Sequence, residues 1–454
     1  WYQVNNFLAT GNANCLAAAP CVSIDPNAEP NRSGRNYYDA YSPYELKSTA
    51  FFGEVYYQIT DELKFTLGAR YTDDKKHVDS YPVTLGVAGR GLGTPILQNV
   101  EFKEWTGRAG FDWNPDFGED VQTLIYGFVS RGYKSGGLNS PCSAGAGVIC
   151  GSATFAPEFI TSYELGTKNT FGGGMAQLNL SIFKYDYEGY QVSKIVNRAS
   201  TNENIDAKIQ GAEFEGVLSP VEGLRFNLNV GYLETEIKSG VSIDTFNRTQ
   251  SNPLLTVVKS SAASNCVVTT AAAAQALFIS NGAGNPAAAN PFALLGVCTV
   301  TNTATAGQQL IPGGPVAVGS NAFGALVSDG VPVNLAGKEL PNAPKWTISF
   351  GAQYTIDLSP TWSLTVRGDY YKQTETFSRI WNASYDRIDS WENLNFTVTL
   401  TNPDQGFTID AYVKNATDET AITDSYLTDD SSGLFRNAFF TDPRTYGLAV
   451  TVNY

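Results

Sequence analysis

The 454-residue sequence predicts an all-β fold, a transmembrane antiparallel β-barrel, on three observations. Apolar and polar residues alternate over many stretches, aromatic residues bracket the apolar faces of these stretches, and the connections between them are short and long in turn. Alternation with a period of two is the pattern of a strand with one buried face. Alternating connection lengths are typical of outer-membrane barrels, which have tight turns at one end and long loops at the other.

The stretch "LRFNLNVGY" (224–232) illustrates the alternation. One face carries Leu224, Phe226, Leu228, Val230 and Tyr232, and the other carries Arg225, Asn227, Asn229 and Gly231. Trp or Tyr brackets several such faces, at Trp346, Trp362, Tyr370 and Tyr446. A strand that crosses a bilayer has an apolar outer face, aromatic residues at both interfaces and a polar inner face. A soluble β-sandwich is the alternative that the alternation alone leaves open.

The six cysteines fall within the long connections. Short turns are expected at 60–63, 114–121, 171–175, 219–223, 358–362 and 402–406, and long connections at about 76–98, 139–156, 194–202, 240–338, 379–386 and 425–436. The cysteines form three local pairs in segments rich in Gly, Ala and Ser, which predicts the disulfides Cys15–Cys21, Cys142–Cys150 and Cys266–Cys298. Disulfides persist in oxidising compartments. All long connections are therefore expected on one, non-cytosolic side.

Counting the alternating stretches gives about thirteen strands between residues 47 and 454. Single-chain bacterial barrels have even strand numbers, so further strands are expected before the first residue of this chain. The predicted organisation is an extracellular loop region at 1–46, a barrel portion at 47–454 and a long extracellular insertion at 240–338. The last strand, "RTYGLAVTVNY", keeps its apolar face complete to Tyr454 and is expected to lack a neighbour on one side, unless it pairs with 47–59.

Composition excludes several classes of function. Lys and Arg total 30 against 44 Asp and Glu, so the net charge of −14 argues against nucleic-acid binding. No apolar run is long enough for a membrane-spanning helix. The single histidine, His77, and the cysteine spacings leave no zinc pattern and no triad of a hydrolase. We expect no enzyme activity, no cofactor and no bound metal.

Seven motifs, in order, resemble the C-terminal portion of a TonB-dependent outer-membrane receptor, most of all those of sphingomonad-type bacteria. They are "AFFGEVYYQITDELKFTLGARYTDDKK" (50–76), "YGFVSRGYKSGGLN" (126–139), "PEFITSYELGTKNTF" (157–171), "IQGAEFEG" (209–216), "ELPNAPKW" (339–346), "VKNATDE" (413–419) and the terminal "RTYGLAVTVNY". The resemblance implies that the thirteen strands are the last of twenty-two. It also implies a plug domain and a TonB box, neither of which matches anything in this sequence. Tyr454 would then close the barrel and be read by the assembly machinery.

The resemblance implies active uptake of a scarce small-molecule solute, with an iron–siderophore complex as the expected cargo. TonB would act through the N-terminal part, and outer-membrane lipid and lipopolysaccharide would surround the barrel. The candidate ligand contacts are Arg131, Tyr133 and Lys134 in "SRGYKSGG", at the outer end of the lumen, and Arg379 and Trp381 in "TFSRIW". Cationic and aromatic groups suit an anionic or chelated ligand. The alternative is that these cations pair with lumen carboxylates or with lipopolysaccharide.

Other functions remain open at this point. A passive porin or a structural outer-membrane protein would need no plug and no TonB box. Within the receptor family, the solute could instead be a saccharide, cobalamin, nickel or an aromatic compound from plants or lignin.

Overall fold

The computed structural model describes residues 38–39, 42–81, 84–85, 95–140, 152–196, 199–259, 265–280, 297–428 and 433–453. The predictions for Cys15, Cys21, Cys142, Cys150 and Tyr454 lie outside these residues.

Thirteen strands of the described chain form one antiparallel sheet, in which each strand pairs with the strand before it. In chain order they are β1 Tyr44–Gln58, β2 Leu63–Ser80, β3 Ile96–Trp113, β4 Val121–Lys134, β5 Glu158–Phe171, β6 Ala176–Val196, β7 Ala199–Val221, β8 Leu224–Ser239, β9 Trp346–Ser359, β10 Trp362–Gln373, β11 Trp391–Asn402, β12 Phe407–Lys414 and β13 Thr445–Val452. The number of strands and their antiparallel order agree with the prediction from the sequence.

The sheet has one apolar and one polar face. Leu228 lies between Gly216 and Phe350 on the neighbouring strands, and the preceding residue, Asn227, lies between Val217 and Gly351. The same register holds across the sheet, so the apolar side chains of successive strands share one face. Aromatic pairs lie near both ends of this face, at Tyr71–Trp105, Tyr232–Trp346 and Trp362–Phe407, with ring centroids 5.2, 4.7 and 6.4 Å apart.

The connections at one end of the sheet are short: 59–62, 114–120, 172–175, 222–223, 360–361 and 403–406. The last of these shows why such turns are tight. The side chain of Asn402 accepts a hydrogen bond from the backbone N–H of Gln405, and Gly406 takes a left-handed conformation with φ 61°. Glycine adopts this conformation without a steric penalty.

At the other end, the structure departs from the prediction in both directions. The connections expected at 379–386 and 425–436 span 374–390 and 415–444, whereas two strands run further than predicted. The β6–β7 ladder continues to the pair Val196–Ala199, so the connection expected at 194–202 spans 197–198 alone. β2 likewise continues to Ser80. Because a paired ladder satisfies its backbone groups in water as well as in lipid, a hairpin can extend beyond the apolar band.

The two edges of the sheet are unpaired in the described chain. β1 pairs with β2 alone, and β13 pairs with β12 alone. β1 and β13 do not pair with each other. This confirms the prediction that the last strand, β13, lacks a neighbour on one side. An unpaired edge cannot face hydrocarbon, because each free backbone group there costs several kcal/mol.

The long connections carry small elements of their own. Two-stranded ladders join Tyr38–Asp39 to Thr84–Leu85, Gly137–Leu138 to Thr154–Phe155, Val241–Ile243 to Pro332–Asn334, Leu255–Val258 to Cys266–Thr269, Gly319–Ser320 to Leu326–Val327, Thr376–Phe377 to Arg387–Ile388, and Ile422–Leu427 to Arg436–Phe440. Short 3-10 helices occur at Thr303–Thr305 and Ser384–Asp386 in the long connections, and at Gly172–Gly174 and Pro403–Gln405 in the short turns. Helix α1 spans Thr270–Ser280.

The insertion between β8 and β9 has its own apolar core. Cys266 and Cys298 form the predicted disulfide and are buried with Val268, Ala276, Val297 and Val327. The residue before α1, Thr269, caps its N-terminus, because the Thr269 hydroxyl accepts a hydrogen bond from the Ala272 N–H. Among the described residues, no helix has both the length and the apolar character that crossing a membrane requires.

A first testable feature is a glycine covered by a cross-strand aromatic ring. A Cβ added to Gly166 would lie 2.6 Å from the ring of Tyr126, whose hydroxyl donates to Glu164 over 2.8 Å. Gly166→Val should therefore displace the ring and lower the free energy of unfolding by about 1–3 kcal/mol. A double-mutant cycle with Tyr126→Ala measures the effect. If the valine costs as much without the ring as with it, the clash is not the cause.

Candidate solute-binding site

The first candidate group lies at the outer ends of β2, β4 and β5. The hydroxyl of Tyr133 on β4 donates to Asp74 on β2 over 3.0 Å. The two strands are separated by β3, but β3 and β4 pair no further than Gly107–Arg131. Beyond that point β4 leaves β3, and the Tyr133 side chain reaches the buried carboxylate of Asp74. Lys76, also on β2, donates to the carbonyl of Gly136 over 2.5 Å.

Lys134 is the exposed cation of this group. Its ammonium lies 3.6 Å from Glu158 on β5, and 62% of its side chain is exposed. Glu158 is in turn fixed by the backbone N–H of Gln191, at 2.9 Å. The carboxylate is therefore held by the sheet, while the ammonium stays accessible to a solute.

Arg131 lies on the opposite face from Lys134. The register places it opposite Gly107 and Thr161, in line with the apolar residues Val129 and Leu165. Its guanidinium lies 4.5 Å from the centroid of the Phe159 ring and 3.1 Å from Glu188. The sequence suggested that Arg131 lies at the outer end of the lumen. The strand alternation instead puts its side chain on the apolar face.

The second candidate group centres on Arg379, in the connection between β10 and β11. Its guanidinium donates to Asp244 over 2.9 Å and to Asp386 over 2.6 Å. The three side chains are 13%, 2% and 3% exposed. These contacts match the alternative in which the cation pairs with carboxylates of the chain itself.

Trp381 packs directly below this ion pair. Its ring centroid lies 4.9 Å from the Arg379 guanidinium, and its indole N–H donates to the carbonyl of Ser242 over 3.5 Å. The residue is 9% exposed and belongs to a buried cluster with Ile205, Ala207, Ile237, Leu335, Leu340 and Ile380.

The five predicted residues thus divide among three places. Lys134 lies on the polar face at the outer end of the sheet, and Arg379 with Trp381 lie in the outer connections. Arg131 and Tyr133 share the apolar face by alternation and both contact Phe159, although the Tyr133 hydroxyl reaches Asp74. Sequence reasoning missed the partners Asp74, Glu158, Asp244, Tyr385 and Asp386. Asp74 was visible in "TDDKK", but nothing in that stretch indicates that the hydroxyl of Tyr133 would reach it.

A large antiparallel sheet with an apolar face, aromatic pairs near both ends of that face, tight turns at one end and long connections at the other defines an outer-membrane β-barrel. The chain belongs to the TonB-dependent receptor family, because residues 12–273 match the family model described as TonB dependent receptor-like, beta-barrel.

Solved receptor structures share the fold. The ferric yersiniabactin uptake receptor FyuA of Yersinia pestis is 15% identical with a TM-score of 0.58, over 92% of this chain and 47% of its own. The siderophore receptor PiuA of Acinetobacter baumannii is 15% identical with a TM-score of 0.56, over 90% and 44%. The ferric-catecholate import receptor Fiu of E. coli K12 is 13% identical with a TM-score of 0.51, over 90% and 45%. The chain spans about half the length of these receptors.

Membership of the family places the protein in the outer membrane of a Gram-negative bacterium. The apolar face of the sheet is therefore the lipid face, and the polar face lines the lumen. The family is one of receptors and transporters.

Proposed function

We propose that the protein takes up a scarce solute by TonB-dependent active transport, and that the solute is an iron–siderophore complex. Family membership carries the proposal, since the matched model covers residues 12–273. One structural neighbour is a siderophore receptor by name, and two others are named for ferric yersiniabactin uptake and ferric-catecholate import, which favours a ferric chelate over the other solute classes. The transport does no covalent chemistry, so the protein is not an enzyme.

In this proposal the insertion 240–338 and the region 1–46 face the cell exterior, and TonB engages a part of the receptor outside residues 1–454. The solute enters past the outer ends of the strands and contacts Tyr133 and Lys134. Lys134 can turn from Glu158 to an anionic ligand, because its own side chain is exposed and the Gln191 N–H still holds the carboxylate. Arg131 contacts the lipid interface, and Arg379 with Trp381 position the outer connections.

Uptake of radiolabelled ferric siderophores by iron-limited cells tests the proposal. The full-length protein should restore uptake to a receptor-deletion strain, and the uptake should stop in a TonB-deletion strain or after addition of a protonophore. Uptake that continues without TonB would instead indicate a passive porin.

Lys134→Gln should weaken solute binding in the same cells by removing the exposed ammonium. Lys184→Gln is the matched control, because Lys184 is also half-exposed and pairs with a carboxylate, Asp186, but lies on the lipid face. Equal losses for the two variants would argue against a ligand contact at Lys134.

A further inference from the structure

The ion pair at Arg379 joins two connections that are far apart in the sequence. Asp244 follows β8, at the start of the long insertion, and Arg379 lies 135 residues later. Both guanidinium Nη atoms face the Asp244 carboxylate, at 2.9 and 3.4 Å, and the hydroxyl of Tyr385 donates to the same carboxylate over 2.6 Å. The backbone N–H of Phe246 donates to it over 3.0 Å. Asp244 is thereby fully enclosed by partners.

The far end of the insertion is tied to the same place. Lys338, just before β9, donates to the carbonyl of Trp381 over 2.8 Å. Asn382 donates to the carbonyl of Glu339 over 3.1 Å and accepts from its N–H over 2.6 Å. Both ends of the insertion therefore rest on the few residues that follow Arg379.

Two further outer hairpins meet this group. Ser242 accepts from Lys194 over 3.3 Å and donates to Glu203 over 2.6 Å, both at the outer end of the β6–β7 hairpin. On the other side, the hydroxyl groups of Ser425 and Ser378 lie 2.9 Å apart, and Arg436 donates to the carbonyl of Tyr385. Four outer connections thus share one network.

The charges at the centre are buried and unequal, since two carboxylates face one guanidinium. Removing one partner of a buried ion pair leaves an uncompensated charge and is strongly destabilising. Burial raises the pKa of Asp386, although its hydrogen bond with Arg379 acts in the opposite direction.

We propose that Asp244, Arg379 and Asp386 form a latch that holds the outer connections as one lid, so that the insertion, the β10–β11 connection and the 422–440 hairpin open together. In this proposal, the Asp244 and Asp386 carboxylates hold the Arg379 guanidinium in place, and the Trp381 ring packs against it. The inference stands independently of the solute, because it concerns contacts within the chain.

Hydrogen exchange of the full-length protein in lipid nanodiscs tests the latch with Arg379→Met. Amide exchange in 240–245, 377–388 and 422–440 should rise together, by about tenfold or more, because the buried carboxylates lose their counter-charge. Arg387→Met is the matched control. Arg387 lies in the same connection and pairs with Glu375 and Asp389, but the three side chains are 52–84% exposed, so exchange should not change.

Faster exchange confined to 377–388 would overturn the proposal, because the connections would then open independently. If Arg379→Met also removed protection from the sheet strands, the variant would be destabilised as a whole. The Tyr385→Phe variant would then test the latch instead. That variant removes one hydroxyl donor to Asp244 and should give a smaller rise in all three segments. No rise in 240–245 would exclude the latch.

Discussion

Leu228→Arg should lower the free energy of unfolding in lipid by about 2–4 kcal/mol, the cost of a cationic side chain near the midplane of a lipid-facing strand. Leu228 lies at the middle of the apolar face of β8, beside Phe350 on β9. Tyr232, four residues further along β8, pairs with Trp346 at the expected membrane–water interface. Reversible unfolding of the full-length protein in lipid vesicles measures the change.

The matched control is Asn229→Arg, on the lumen face of the same strand. Asn229 is exposed and lies opposite Glu215, so a new arginine gains an opposite charge and water. The sequence pattern suggested Asn227→Arg as an equally tolerated change, but Asn227 accepts a hydrogen bond from Arg367 over 3.1 Å. A second cation there would be repelled. Equal costs for Leu228→Arg and Asn229→Arg would mean that the two faces are assigned wrongly.

Replacing Cys266 and Cys298 by alanine should lower the opening free energy of the insertion by about 3–4 kcal/mol. The disulfide closes a loop with a sequence separation of 32, and removing it returns the corresponding chain entropy to the open state. Both cysteines are buried in the small core of the insertion, so the alanines also leave a void.

Hydrogen exchange of the Leu255–Val258 and Cys266–Thr269 ladder reports this opening. Strands β8 and β9 serve as the internal control, because nine residue pairs hold them together independently of the disulfide. Unchanged protection of the small ladder would show that the disulfide is not what stabilises the insertion.

The strands and their order could be predicted from the sequence because each has a local signal. The motif at 157–171 forms the strand Glu158–Phe171, and every predicted tight turn lies between two paired strands. The outer connections were harder, since polar segments there form ladders without alternating apolar residues. β2 therefore runs to Ser80, into the segment expected as a connection.

The candidate ligand residues show the limit of the same approach. "SRGYKSGG" indicates an arginine, a tyrosine and a lysine near an outer strand end, but a shift of one position reverses the face of a side chain. The alternation carried by Val129 puts Arg131 towards the lipid and Lys134 towards the lumen. A count of cationic and aromatic residues in a segment does not show which face of the strand each side chain lies on.

The sequence by itself determined the all-β class, the antiparallel order, the two faces of each strand and the side on which the long connections lie. Those features follow from the alternation of apolar and polar residues and from the turn residues, and both signals lie within a few neighbouring positions of the sequence. Only the tertiary structure decided which charges meet, because Arg379 and Asp244 are 135 residues apart and their pairing depends on how two connections pack. Burial then decided their role: with its guanidinium enclosed by two carboxylates, Arg379 holds the outer connections together.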